Sequence, residues 1–344
     1  MDALHPHAKA DVAEMLAGLS AAGTPTLIVG GRQHVGRTTP RPVGAELWTT
    51  QLDRVIAYDP AEMIAVVEAG IRIRDLDALL AGGGQEWPVD AHPDATVGGV
   101  IAAGVSGMRR LRTGLMRDTV VELELVTGDG RLIRSGARTV KNVTGFDVHR
   151  LATGSFGSLG VIVQAAIKVR PRPKVRRVLV FDDGGMPLAE ALLGTVPLPA
   201  AVIAEPGRIE LVLEGWPEEV EEQTEAARAV SADFQVQEDV PPTRADELWP
   251  GAPIVGEAAV TPSRIAAVAR ANERWRALVG VGMVWFPFED EDRWHYVRAV
   301  VAAESGTMTR IRGENATQGD APPRPEASVT AALLNSFDPA GILR

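Results

Sequence analysis

At 344 residues, with 45% hydrophobic and 23% charged residues, the chain has the composition of a globular protein and the length of two domains rather than one. A formal charge of −10 argues against sequence-independent nucleic-acid binding, which depends on neutralising many phosphates. The absence of cysteine excludes disulfides, thiolate zinc sites and an iron–sulfur cluster held by this chain's own cysteines, so redox chemistry here needs a bound cofactor.

Taken in chain order, residues 1–16 mix charges and histidines with apolar residues and lack the continuous apolar stretch of a secretory signal. No apolar run approaches the roughly 20 residues that span a bilayer. The expected address is the cytoplasm, with peripheral contact at the inner face of the cell membrane left open. Val12, Met15, Leu16 and Leu19 recur at helical spacing, and Thr26–Val29 is a β-prone run that stops at Gly30-Gly31. Residues 55–58 and 63–69 read as strands around the turn Asp59-Pro60, and residues 75–80 as a short helix ended by Gly82-Gly83-Gly84.

Residues 94–104 are crowded with small side chains, so backbone there can approach something closely. Val121, Leu123 and Leu125 alternate with Glu122 and Glu124, and Gly128-Asp129-Gly130 turns the chain into Leu132-Ile133, which predicts a hairpin. A second small-residue block, residues 154–160, leads into a strand over 161–169, and Arg170-Pro171-Arg172-Pro173 marks the exit from a first domain. Beyond it, strand-like runs at 178–181 and 209–213 alternate with helical patterns at 218–230 and 261–279, the latter opening on a Thr cap and Pro262. Residues 313–325 are polar and proline-containing, and a last helix carries Val329, Leu333 and Phe337. The expected division is 1–173, 174–312 as a smaller α+β domain, and 313–344 returning to the first.

Glycine-rich turns suit a dinucleotide because no Cβ blocks the approach of the diphosphate to backbone N–H groups. Three such places occur: Gly30-Gly31, residues 96–104 and residues 154–160. None has the G-x-G-x-x-G of a nicotinamide site or the G-K-[ST] of a P-loop. Each one taken alone is equally the mark of a tight turn or close packing.

Their order is more specific. Asp94-Ala95-Thr96-Val97-Gly98-Gly99, then Ser106-Gly107 with residues 109–114, Arg117-Asp118, residues 141–147 (Lys-Asn-Val-Thr-Gly-Phe-Asp), and Gly154-Ser155 to Gly160-Val161 follow one another in a set sequence. That series resembles the PCMH-type FAD-binding domain of the vanillyl-alcohol-oxidase-like flavoproteins, and within them the glycolate oxidase FAD-subunit group. The resemblance covers most of residues 20–175 and returns in residues 337–343 (Phe-Asp-Pro-Ala-Gly-Ile-Leu). It implies an α+β fold with a two-subdomain FAD-binding domain followed by a smaller α+β cap, and FAD held non-covalently. Gly30 and Gly31 would form a first phosphate turn and Asp94, Ala95, Thr96, Gly98 and Gly99 a second. Ser106 and Gly107 would lie on the flavin side, and Gly154, Ser155, Gly160 and Val161 around the adenosine. Lys141 and Asn142 are candidates for the flavin or substrate face, or else an ordinary strand end. Arg32 and Gln33 stand where the family has a small hydroxyl residue, so Arg32 either pairs with the diphosphate or crowds it.

The resemblance further implies an FAD-dependent oxidoreductase acting on the CH–OH group of glycolate or a related 2-hydroxy acid. It would work in a complex with a catalytic FAD-linked dehydrogenase subunit and an iron–sulfur subunit. No catalytic residue is assigned, and the histidine-rich metal motif of larger 2-hydroxy-acid dehydrogenases is not found. A stand-alone FAD-linked enzyme for another alcohol or sugar acid, and a scaffold that has lost FAD, are the alternatives. His34 and His92 read as loop histidines rather than flavin attachment points, and His5 and His7 lack carboxylate partners for a metal. The basic run Arg170, Arg172, Lys174, Arg176 and Arg177 is either a solvated linker or a docking stripe for an acidic partner or membrane surface. Trp275, Trp285 and Trp294 read as core or interface anchors.

Overall fold

In the computed structural model, residues 2–34, 42–138, 146–241, 243–313 and 327–343 are described. They fall into two units: Met1–Val105 with Leu115–Arg172 and Pro323–Arg344, and Ser106–Gly114 with Pro173–Pro322.

The first unit begins with β1 (Asp2–Leu4), α1 (Lys9–Ala21), β2 (Thr26–Val29) and β3 (Ala45–Trp48), the strands forming a parallel sheet in the order β1-β3-β2. The Asp11 carboxylate starts α1 by accepting the backbone N–H groups of His7 and Ala8 at 2.9 and 3.0 Å, and Val12 and Leu16, one turn apart, are buried. Next come β4 (Val55–Asp59), β5 (Ile64–Glu68), α2 (Ile73–Gly82), β6 (Gln85–Glu86) and α3 (Val97–Ala103). The short α4 (Arg110–Thr113) belongs to the second unit. The chain then returns with β7 (Val120–Val126), β8 (Leu132–Gly136), α5 (Val148–Ala152), β9 (Val161–Lys168) and β10 (Arg170–Pro171).

An antiparallel sheet in the order β4-β5-β9-β7-β8 carries this unit. Its central β9 is buried on both faces. Val161 and Val163 pack with α1 and β3, while Ala165 and Ile167 pack with Leu76 and Leu80 of α2 and Val100 and Ile101 of α3. A strand covered on both sides reads as a nearly unbroken apolar run, which is the pattern of residues 161–169.

The second unit is one antiparallel sheet flanked by helices. Its elements are β11 (Val175–Phe181), α6 (Gly185–Thr195), β12 (Ala201–Glu205), β13 (Arg208–Gly215), α7 (Pro217–Val230), β14 (Gln235–Glu238), β15 (Ile254–Ala259), α8 (Ile265–Ala269), β16 (Arg276–Leu278), β17 (Met283–Phe288), α9 (Glu291–Ala303) and β18 (Thr307–Arg312). The strand order is β14-β11-β13-β12-β16-β17-β15-β18. Leu192 of α6 and Val220 of α7 pack with Leu179 and Leu211, whereas Ile265 of α8 and Trp294 and Val297 of α9 pack with Phe286 and Phe288. Trp285 and Trp294 are fully buried. Last, α10 (Ala327–Phe337) belongs to the first unit. After it the Asp338 carboxylate accepts N–H from Ile342 and Leu343 at 3.0 and 2.8 Å, and the Ile342 carbonyl accepts Thr26 N–H at 2.7 Å, beside β2.

Three expectations are corrected. The helix expected over 261–279 is a 3-10 turn at Pro262–Arg264, the five-residue α8, and then strand β16. Asn272 interrupts it by donating to the Arg274 and Pro287 carbonyls at 2.9 and 3.1 Å, and the residues beyond pair with β12 and β17. The basic run is neither a free linker nor an open stripe. Arg170 pairs with Glu86 at 2.7 Å, Arg176 with Glu214 at 2.6 Å, and Arg177 with Glu221 and Glu238 at 2.9 and 2.8 Å, so three of its five cations are ion-paired, while Arg172 and Lys174 are exposed. Residues 106–114, expected within the first domain, are part of the second unit. There Met108 packs with Val178, Val212 and Trp285, and Arg109 meets the Glu214 carboxylate at 3.2 Å.

Candidate functional site

Strand β2 delivers Gly30 and Gly31 to the edge of a cleft in the first unit. Helix α3 supplies its second wall and the turn before β9 its third. Two adjoining lobes, open to solvent, share Ile28, Gly30, Gly99, Ala102 and Phe156. Gly31, Arg32, Gln33, His34, Ala95, Thr96 and Ala103 line one of them, with Gly98, Gly157, Gly160, Thr49 and Ile162 around the other.

The glycines bring the walls together. A Cβ on Gly31 would lie 2.1 Å from the Asp94 carbonyl oxygen, and one on Gly30 would lie 2.2 Å from Thr96 Oγ1. The third wall hangs from the end of α3, because Gly154 N–H donates to the Ile101 carbonyl at 3.0 Å and Phe156 N–H to the Ala102 carbonyl at 2.8 Å. Phe156 itself is held at φ 51°, a left-handed conformation unfavourable for a bulky side chain, and it lines the cleft.

Residues 96–104 are not an open turn. Thr96 caps α3 by accepting Gly99 N–H at 3.2 Å, and the next donors are spent as well: Val97 N–H on the Ile71 carbonyl at 3.0 Å and Gly98 N–H on the Ala69 carbonyl at 2.7 Å. The start of α3 therefore contributes its dipole and a close approach at Gly99 rather than a set of open N–H donors. The backbone N–H groups of Gly31, Arg32 and Gln33 make no hydrogen bond to another described residue. With Arg32 at φ 58°, this short loop has the kind of backbone in which successive N–H groups gather around an anion.

The charges near the cleft are compensated. Among the described residues, no aspartate or glutamate lines it. Asp94 is ion-paired with Arg74 and its carbonyl accepts Arg72 Nη1 at 2.8 Å, while Glu46 is paired with Arg32 at 2.5 Å. Leu27, Ile28, Ala102, Ala103 and Phe156 form an apolar wall. An anionic diphosphate carrying flat ring systems fits these features: open N–H donors, no lining carboxylate, and apolar surface for the rings.

Of the residues singled out from sequence, Gly30, Gly31, Arg32, Gln33, Ala95, Thr96, Gly98, Gly99 and Gly160 line the cleft. Asp94 braces Gly31 from behind, Gly154 and Ser155 form the turn leading to Phe156, and Val161 is buried in the core. Ser106 and Gly107 belong to the second unit. Lys141 and Asn142 lie outside the described residues. Ile28, Ala102 and Phe156 were missed; Phe156 has a signal, an aromatic residue set between glycines. His92 accepts Asp94 N–H through Nδ1 at 3.1 Å and shapes that turn. Among the described residues no helix is long and apolar enough to cross a membrane.

Residues 3–136, which supply two of the three walls of the cleft, match the family described as FAD binding domain. Glycolate oxidase subunit GlcE of Escherichia coli (strain K12) is 34% identical over 166 residues, 46% of this chain and 47% of that protein. Glycolate oxidase subunit GlcD of Bacillus subtilis (strain 168) is 32% identical, over 44% of this chain and 32% of that one. A D-lactate dehydrogenase of Archaeoglobus fulgidus is 36% identical, over 44% of this chain and 34% of that one. The chain thus spans less than half the length of these curated relatives. A solved structure of alkyldihydroxyacetonephosphate synthase superposes with a TM-score of 0.74 at 16% identity, covering 99% of this chain and 76% of that one, a likeness of fold.

Proposed function

We propose, from a chain that carries an FAD-binding domain, that it binds FAD non-covalently in the cleft and serves the oxidation of glycolate or a related 2-hydroxy acid to the 2-oxo acid. The carrying observation is the convergence of three glycine-bearing segments on one cleft that, among the described residues, no carboxylate lines, with open N–H donors at residues 31–33. When bound, the flavin would supply a two-electron acceptor for the hydride of the carbon that bears the hydroxyl, whose own proton would pass to solvent.

The chain's own residues bind and orient. The 31–33 backbone receives the diphosphate, Gly99 lets it approach α3, and Ile28, Ala102 and Phe156 exclude water from the ring systems. The similarity to proteins named as glycolate oxidase subunits and D-lactate dehydrogenases supports the substrate class. We assign the chain to a complex with a catalytic FAD-linked dehydrogenase subunit and an iron–sulfur subunit, working in the cytoplasm or peripherally at the membrane. Having no cysteine, it leaves any iron–sulfur centre to a partner.

The test is to purify the chain alone and record its visible spectrum before and after incubation with FAD. A protein that carries flavin or takes it up, releasing it on denaturation, is expected. A colourless chain that cannot be reconstituted sinks the cofactor reading. Substrate-dependent reduction of an artificial acceptor by the chain alone would replace the complex with a stand-alone enzyme.

A further inference from the structure

The side chain of Arg32 lies at the rim of a candidate diphosphate site, where an arginine ordinarily suggests a phosphate ligand. Its surroundings point elsewhere. Arg32 Nη2 is 2.5 Å from Glu46 Oε1, and the guanidinium lies 4.7 Å above the centre of the Trp48 ring. The other Glu46 oxygen accepts Trp48 Nε1–H at 3.0 Å, and His5 stacks on the far partner of this set, the Trp48 ring, at 6.0 Å. Glu46 and Trp48 both sit on β3, the middle strand of its sheet, and Glu46 is only 8% exposed. A guanidinium that left this seat for a phosphate would strand a nearly buried carboxylate close to a second anion. The seat also has a use. Arg32 is held at φ 58°, a conformation long side chains avoid, and Gln33 Nε2 donates across the loop to the Gly31 carbonyl at 3.1 Å.

We infer that Arg32 is a positioning residue and not a phosphate ligand: anchored on Glu46 and Trp48, it fixes the 31–33 loop so that backbone N–H groups receive the diphosphate. The inference rests on the FAD-binding reading and deepens it. The positive charge at the rim is neutralised in place, and affinity comes from the shape of the main chain.

The experiment titrates FAD into apo full-length wild type, Glu46→Gln and Trp48→Phe, following flavin fluorescence at low and high salt. Losing one charge-assisted anchor is expected to weaken FAD binding about tenfold in Glu46→Gln, with the wild-type salt dependence retained. Trp48→Phe keeps an aromatic face beneath Arg32, though a smaller one, and removes the indole N–H that orients Glu46, so it shifts affinity in the same direction by a smaller factor. It carries the test should Glu46→Gln not fold. If freeing Arg32 leaves affinity unchanged, tightens it, or alters its salt dependence, the guanidinium itself meets the phosphates and the inference is overturned. A wild-type chain that binds no FAD would instead remove the cofactor reading beneath it.

Discussion

Replacing Gly31 by alanine tests the contact on which the cleft is built. The new Cβ would stand 2.1 Å from the Asp94 carbonyl oxygen and 3.0 Å from Ala95 Cα, both main-chain atoms that cannot rotate away. Carbon–oxygen contacts relax at about 3.3 Å, so the two segments must part by roughly 1 Å. Forcing an extra carbon into a packed site costs about 1–3 kcal/mol, which for a domain of this size lowers the melting temperature by roughly 2–12 °C. The displaced loop should also lose at least one N–H bond to the diphosphate, worth about 1.5–3 kcal/mol, or roughly 10- to 100-fold in FAD affinity. Gly18→Ala is the control. It lies inside α1, where an added Cβ would meet no atom within 4 Å, and should gain about 0.5–1 kcal/mol without touching affinity. Thermal melts and FAD titrations of the pair decide the matter. Wild-type stability together with wild-type affinity in Gly31→Ala would show that the first and second walls do not meet there.

Asp338→Ala leaves the N–H groups of Ile342 and Leu343 without their acceptor and should cost about 2–4 kcal/mol in thermal or urea melts. Asp338→Asn, which keeps an acceptor, should recover part of that. Glu214→Ala removes a carboxylate only 1% exposed that faces Arg109 and Arg176, a loss of about 3–5 kcal/mol; faster hydrogen exchange across residues 106–114 would report the release of that segment. Burial pushes the His149 pKa below its ordinary 6.5, favouring the neutral ring beside Ser135. Because the folded value is the lower one, its contribution is intact above pH 6.5 and declines as pH falls below it, where the unfolded chain takes up the proton first. Melting temperatures of His149→Gln should accordingly fall less steeply than wild type from neutral pH downward, and parallel curves would rule this out.

The glycine-bearing segments were legible in sequence because a side chain at Gly30, Gly31, Gly98 or Gly160 would strike a neighbouring residue, and Gly154 and Gly157 take positive φ, demands written in residue identity. That residues 97–103 are helical was not. Gly98 and Gly99 argue against a helix by propensity, and it forms because Thr96 caps it and Val97, Val100 and Ile101 are buried beneath it. Arg32 could be seen as out of pattern, yet its commitment to Glu46 and Trp48 depends on a parallel strand pairing that no local spacing encodes. The helix expected over 261–279 had a genuine start signal at Pro262, but the apolar residues after Asn272 serve a strand, and only their pairing with β12 and β17 distinguishes the two periods. The membership of residues 106–114 rests on Arg109 meeting a carboxylate 105 positions away, which is likewise beyond local reading.

Those nine residues have a consequence for how this protein can be dissected. The chain leaves the first unit at Ser106, re-enters it at Leu115, and leaves again at Pro173. The second unit is thus no detachable cassette. A truncation after Arg172 would strand Met108 and Leu111, which pack respectively with Trp285 and with the α6–α7 core, in water. Recombination that exchanged only the C-terminal half would pair a foreign sheet with a splint shaped for the original.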